Sequence, residues 1–290
     1  MPQPFSMVST VEEILNAVQT LRARDNYVEA QVKEQGKKAV WWWVGFALSV
    51  ILLIALASSG VSYLAVIPVL TGILSLVMGI IYSARKAGWA KQDVEDRRLE
   101  LVKQLFSVLG CDIPRRNKCA VNVSFDDYRT HGTQVSLEKS GWFGSLKRYK
   151  YEDVWFTARG LLCDGNRFKV TITQNVHRKE KAKRKYTKVS ERFEEEVVLL
   201  LKVSPESYPN LANLEATLMP GEYDGLRVTR VRAQGGLVRI VCATPLATRL
   251  RGRSGTDNAG WDNLATGDTI LKLFLVVYGK LQDCRATQAA

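Results

Sequence analysis

Between Ala39 and Ala84 the chain carries no Asp, Glu, Lys, Arg or His. Two apolar runs fill this stretch, Val40 to Ala57 and Tyr63 to Tyr82, separated by the short polar tip Ser58-Ser59-Gly60-Val61-Ser62. Each run approaches the roughly 20 residues that cross about 30 Å of hydrocarbon at 1.5 Å per residue. Neither run has the polar face that a buried pair of soluble helices keeps, so the pattern predicts a transmembrane helical hairpin over 40–84, with spans at 40–57 and 63–82. The first run starts late, opens with Trp41-Trp42-Trp43 and is followed by a second span, which reads as an anchor and not as a cleaved signal.

The flanks set an orientation. Lys33, Lys37 and Lys38 precede the first span, Arg85, Lys86 and Lys91 follow the second, and the tip has no Lys or Arg. The positive-inside bias then places both termini in the cytoplasm of an integral membrane protein of the bacterial inner-membrane type. Trp41, Trp42, Trp43, Tyr82 and Trp89 stand where amphipathic rings settle at headgroup depth. Small residues recur on each span, Gly45 and Ser49 on the first and Thr71, Ser75 and Gly79 on the second. Close packing of such residues drives helix association in lipid, within the hairpin or between copies in a homo-oligomer. No ionisable residue lies within either span, so an ion pathway through one hairpin has no support.

Residues 1–39 read as a cytoplasmic amphipathic helix. Thr10 and Glu13 form a capping-box pair, and Val8, Val11, Leu15 and Val18 fall at helical spacing behind it. Residues 85–118 read as a juxtamembrane helix and linker, with Val94, Leu101, Leu105, Phe106 and Leu109 on one side and a stop at Gly110. The two apolar stripes are expected to bury each other as a stalk.

From Cys119 the period changes to two, and residues 119–290 read as a cytoplasmic β-rich domain. Asp164-Gly165 and Gly235-Gly236 each sit between alternating runs and predict tight hairpins. Phe193 to Val203 predicts a long central strand, and helices are expected over Pro209–Met219 and after Asp268. The fold class expected is a membrane α-helical hairpin with flanking cytoplasmic helices, plus a C-terminal, mainly antiparallel β (α+β) soluble domain, sandwich or barrel.

Chemistry is sparse. The five cysteines are scattered, with no CxxC pair for a metal or redox centre. His131 and His177 read as surface residues, and no phosphate-loop, dinucleotide, zincin or nucleophile-elbow motif occurs. The expectation is a protein without enzymatic activity and without a cofactor, with a hydrolase of unfamiliar site as the third alternative. Net charge of +12 points instead to anionic partners. The densest basic segment holds Arg178, Lys179, Lys181, Lys183, Arg184, Lys185 and Lys188, and reads as a hairpin tip. A second basic loop carries Arg249, Arg251 and Arg253. Convergence of the two would make an anion site for lipid headgroups, nucleic acid or another phosphate-bearing partner.

The function expected is therefore a membrane-anchored sensor or scaffold whose basic domain binds a partner or anionic ligand. A two-span hairpin joined to a β-rich cytoplasmic module is also similar in layout to membrane effectors of bacterial anti-phage signalling. That resemblance is one of architecture, and implies a signal-activated protein that disrupts the membrane by oligomerising.

Overall fold

The computed structural model describes residues 5–58, 66–90, 95–140, 146–218, 221–223, 225–252, 255–259 and 261–284. The tip of the apolar stretch beyond Ser58 lies outside these residues. The chain divides into two compact units, Gln19–Val94 and Gln3–Val18 with Glu95–Ala290.

The first unit is an antiparallel pair of helices. Helix α1 runs unbroken over Val11–Ser58, and α2 over Val66–Ala90. At 1.5 Å per residue α1 is about 72 Å long, more than twice a hydrocarbon core. The expected boundary between an amphipathic helix and a separate span is absent. Ion pairs one turn apart, Lys33 with Glu29 and Lys38 with Glu34, support the polar stretch. Gly36 continues the helix because the Lys86 side chain lies against it, 3.5 Å from where a Cβ would stand. Both helices are long and apolar enough to cross a membrane. Their outward side chains, among them Leu48, Ile51, Ile54, Ile67, Leu70 and Ile73, are exposed where the core helix of a soluble protein would hide them.

Close approach of the pair rests on small residues. A Cβ on Gly72 would stand 2.9 Å from Ser49 Oγ, and one on Gly45 3.3 Å from Ser75 Oγ. Gly79 opens space for the Trp43 ring, 3.3 Å from its own Cβ position, and Trp43 Nε1 donates to Ser83 Oγ at 3.4 Å. So Gly45, Ser49, Ser75 and Gly79 lie in the contact as expected, but Thr71 faces outward and donates its hydroxyl to the Ile67 carbonyl. Its place is taken by Gly72. Positions spaced by four drift about 40° per step around a helix, whereas 72, 75 and 79 follow the i, i+3, i+7 stripe. Trp41 is exposed and Trp42 half-buried, and the Arg85 guanidinium lies over Tyr82. Trp89 is a helix–helix contact: it meets Tyr27 edge-on at 6.0 Å, about 9 Å further along α2 than Ser83.

The second unit is built on one antiparallel sheet. Strand β1 spans Phe5–Ser9, a segment expected to open the N-terminal helix. Val8 alternates there with Met7, and α1 begins at Val11, its first turn closed by the Thr10–Glu13 capping box. Helix α3 covers Asp96–Leu109, β2 Cys119–Val123, α4 Tyr128–His131 and β3 Thr133–Ser140. Three strands of 16 residues follow, β4 Leu146–Leu161, β5 Arg167–Ala182 and β6 Thr187–Lys202. Then come α5 Asn213–Thr217, β7 Glu222–Tyr223, β8 Leu226–Gln234, β9 Leu237–Ala243, β10 Ala247–Gly252, β11 Gly255–Ala259 and α6 Gly267–Asp283.

The long strands, each about 53 Å at 3.3 Å per residue, are a spine shared by two lobes. In the helix lobe the order is β1-β2-β4-β5-β6-β9-β8-β7. In the tip lobe β3 pairs with the first half of β4, while β10 pairs with the first half of β6 and with β11. The expected turns at Asp164-Gly165 and Gly235-Gly236 join β4 to β5 and β8 to β9, with φ of +83° at Gly165. Bulges at Trp155 in β4 and Thr229 in β8 each add one residue without a register partner.

One face of the helix lobe is the core. Phe168, Val170, Ile172, Leu199 and Leu201 are buried on it, and α3 and α6 pack over them, with Phe168 edge-on to Phe274 at 5.7 Å. Gly267 permits the crossing of α3, since a Cβ there would fall 2.5 Å from that of Gln104. The apolar residues of α3 are thus buried in this unit and do not form a stalk. Only the first turns of α1 join them, through Val11 at Gly110 and buried Ile14 and Val18.

Candidate anion-binding face

Alternation along the spine sorts the charged residues onto two faces, and the two are treated differently. On the core face the arginines Arg97, Arg98, Arg178 and Arg249 each lie against a carboxylate. Arg97 of α3 holds Glu195 of β6 with two bonds of 2.7 and 3.0 Å, and also meets Glu95. Glu195 is fully buried and accepts two further bonds, from Trp155 Nε1 at 3.1 Å and the Ala265 amide at 2.8 Å. Arg98 donates to the Ser124 carbonyl at 2.6 Å and lies 3.7 Å from Asp153. Both guanidiniums flank the Trp155 ring, at 5.3 and 4.9 Å from its centroid. His131 is exposed, as expected of a surface residue, and its Nδ1 sits 2.6 Å from buried Asp153.

The same holds in the tip lobe. Arg178 pairs with Glu180 and, at 2.9 Å, with buried Glu191, which also accepts the Tyr128 hydroxyl at 2.5 Å. Burial and the Glu191 bond push the Tyr128 hydroxyl above the ordinary phenol range. Arg249 lies in the next strand opposite Glu191, 3.9 Å from it and over the Phe193 ring. These charges are structural cross-links of a small core made by Tyr128, Val176, Phe193, Ala247 and Leu264.

The opposite face is open and carries the remaining charge. In the helix lobe β4 presents Arg159, β5 Arg167 and Lys169, and β6 Lys202. Across β9 and β8 the face continues through Arg239, Arg232, Arg230 and Arg227. In the tip lobe it holds Arg148 and Lys150 of β4, Lys179 and Lys181 of β5, and Lys188 and Arg192 of β6. Glu138, Glu152, Glu194 and Glu196 are the acids on this side of β3, β4 and β6. Arg148 reaches Glu138 at 3.6 Å and Lys150 reaches Glu152 at 3.2 Å. Among the described residues Lys179, Lys181, Lys188 and Arg192, and likewise Arg230, Arg232 and Arg239, have no carboxylate within ion-pair reach.

In the tip lobe this face forms a cleft of about 540 Å³, lined by Arg148, His177, Lys179, Lys181, Lys188 and Arg192 with Ser190 and Leu250. The strand register brings the cations into rows. Lys181 stands directly opposite Lys188, His177 opposite Arg192, and Arg148 opposite Lys179. Side chains so placed have Cβ atoms about 4.5–5.5 Å apart, and like charges there repel.

The expected basic loop is therefore mostly strand. Only Lys183, Arg184, Lys185 and Tyr186 form the turn, closed by the Lys183 amide on the Tyr186 carbonyl, with Lys183 over the Tyr186 ring. Of the residues singled out by sequence, Lys179, Lys181 and Lys188 reach the cleft; Arg178 also borders it but is held by Glu180 and Glu191, and Arg249 lies over Phe193. The side chain of Arg251, and Arg253 altogether, lie outside the described residues. The two basic segments do converge, because β10 pairs with β6, but Leu250 and not an arginine reaches the cleft from β10. Arg148, His177 and Arg192 were not expected there. Their signal is charge recurring at every second position once 146–182 is read as strand.

No family model, curated protein or solved structure matches the chain.

Proposed function

We propose that the chain is a non-enzymatic, membrane-anchored binding protein whose cytoplasmic β domain takes a phosphate-bearing anionic ligand on its open sheet face. The observation that supports this reading is the separation of paired from unpaired cations. Acids are spent on the side where a lone cation would cost folding free energy, and are sparse where cations meet solvent. A surface kept soluble by charge alone needs no such one-sided arrangement. The apolar hairpin supplies the anchor, and its basic flanks give the cytoplasmic orientation.

The test uses the full chain in zwitterionic nanodiscs, titrated with inorganic tripolyphosphate or heparin. Binding is expected at about 10 mM salt and should weaken by more than tenfold at about 150 mM, where the screening length falls from about 30 Å to about 8 Å. No binding of either anion at the lower salt would end this reading.

Native thiols test the orientation. Cys111 and Cys163 are exposed, whereas burial pushes the thiol of Cys119 up to about 11 and that of Cys242 up to about 12. Only thiolate reacts, so near neutral pH the exposed pair should be modified first in purified protein. In intact cells an impermeant maleimide should leave both unlabelled, and permeabilisation should restore labelling. Labelling of Cys163 in intact cells would reverse the topology.

A further inference from the structure

We propose that the tip-lobe cleft is a discrete site for a ligand with clustered phosphate groups, a more specific statement that rests on the anion-binding reading above. The register places Lys181 against Lys188 and His177 against Arg192 across neighbouring strands, with Lys179 between Arg148 and Ser190. Among the described carboxylates nearby, Glu180, Glu138 and Glu152 are tied to Arg178, Arg148 and Lys150, and Glu194, on the same face of β6, makes no ion pair with Arg192. On the core face of the same strands Arg178 is paired with Glu180 and Glu191. Like charges also stand opposite each other in the helix lobe, as Arg232 does to Arg239, so it is the enclosure of the rows in a cleft that sets the tip lobe apart.

The donor set fits one chemistry. Lys179, Lys181 and Lys188 supply compact charges with three donors each, Arg192 a planar fork, and Ser190 a hydroxyl. No carboxylate lines the cleft to take a metal or accept from a sugar hydroxyl. Its wall has two rings, the His177 imidazole and Tyr149, and Tyr149 stacks at 19° on Tyr151. Recognition is therefore of charge density and not of a base, and the phosphates belong to a free polyphosphate or to a lipid headgroup.

An empty site of this kind is strained by its own charges, and its ligand relieves them. The experiment is thermal melting and calorimetric titration of the full chain in uncharged detergent, with tripolyphosphate as probe. Tripolyphosphate should raise the melting temperature of the unaltered protein. Lys181→Gln with Lys188→Gln should raise that of the empty protein, weaken binding at least about tenfold and abolish the ligand-induced rise. Lys181→Arg with Lys188→Arg should retain binding, which shows that the charge and not the fold was removed. Arg230→Gln with Arg232→Gln, on the same face of the helix lobe, should change affinity by less than about twofold.

Equal losses from the two pairs would overturn the discrete site and leave a diffuse cationic face, so the broader reading would survive. Absence of any binding would remove both. Vesicles containing phosphatidic acid in phosphatidylcholine separate the sources. Binding tighter than to tripolyphosphate assigns the phosphates to a headgroup, the reverse assigns them to a soluble ligand, and loss of either on the Lys181/Lys188 double change supports the site.

Discussion

Replacing Arg97 by alanine should destabilise the β domain by about 3–5 kcal/mol, the cost of leaving a buried carboxylate without its cation. Glu195 has no exposure and takes both guanidinium bonds from this one residue. The indole and the Ala265 amide remain after the change, but they are neutral donors and cannot balance a full charge. For a domain with the usual 5–15 kcal/mol of stability, that loss approaches unfolding near physiological temperature. Urea unfolding of the full chain reads the difference. Arg178→Ala is the control: its partner Glu191 keeps the Tyr128 hydroxyl and lies beside Arg249, so the loss should be clearly smaller. Equal effects from the two changes would mean that the α3 anchor is not special. Adding Glu195→Leu to Arg97→Ala should recover only part of the loss, because the Ala265 amide and Trp155 Nε1 would then be buried without acceptors.

The second large effect concerns the hairpin. Gly72→Leu should separate α1 from α2, because a Cβ alone already falls 2.9 Å from Ser49 Oγ. Overpacking of a tight contact costs about 1–3 kcal/mol, and helix pairs in lipid have no hydrophobic force to compensate. Thr71→Leu, on the exposed side of the same turn, should be nearly silent. Cysteines placed at Gly45 and Ser75 give the readout, as a disulfide that forms readily in the parent and poorly in the Gly72→Leu variant. Comparable cross-linking in both would place the packing elsewhere.

Much of this architecture is legible in the sequence where one face of an element is apolar. The two long apolar helices, the capping box at Thr10 and the hairpins at Asp164-Gly165 and Gly235-Gly236 all follow from local composition and spacing. Reading failed where both faces are polar. Arg178 to Lys181 alternates a core-facing, paired charge with an open, unpaired one, and to a hydrophobicity count that is a loop. Val8 failed differently: in a five-residue edge strand two outward positions cannot be told from a first helical turn. Gly72 was missed because a four-residue spacing was followed where a helix keeps 3.6. The cleft needs a pairing between β6 and β10, some 60 residues apart in the chain, which no local pattern contains.

Trp155 is, in counting terms, an odd residue. Numbered straight through, β4 is out of phase across it: Arg148 and Lys150 have even numbers, Arg159 an odd one, yet all three share a face. The bulge absorbs the slip, and the residue it releases from the count is the indole seated between Arg97 and Arg98. Shortened by that one residue, the strand would return to strict alternation with each cation on its present side. Glu195 would meanwhile lose its indole donor, and the two guanidiniums their shared ring. The surface pattern and the interior anchor are thus written in one strand but in separable marks, and a single deletion can erase the second while leaving the first in register.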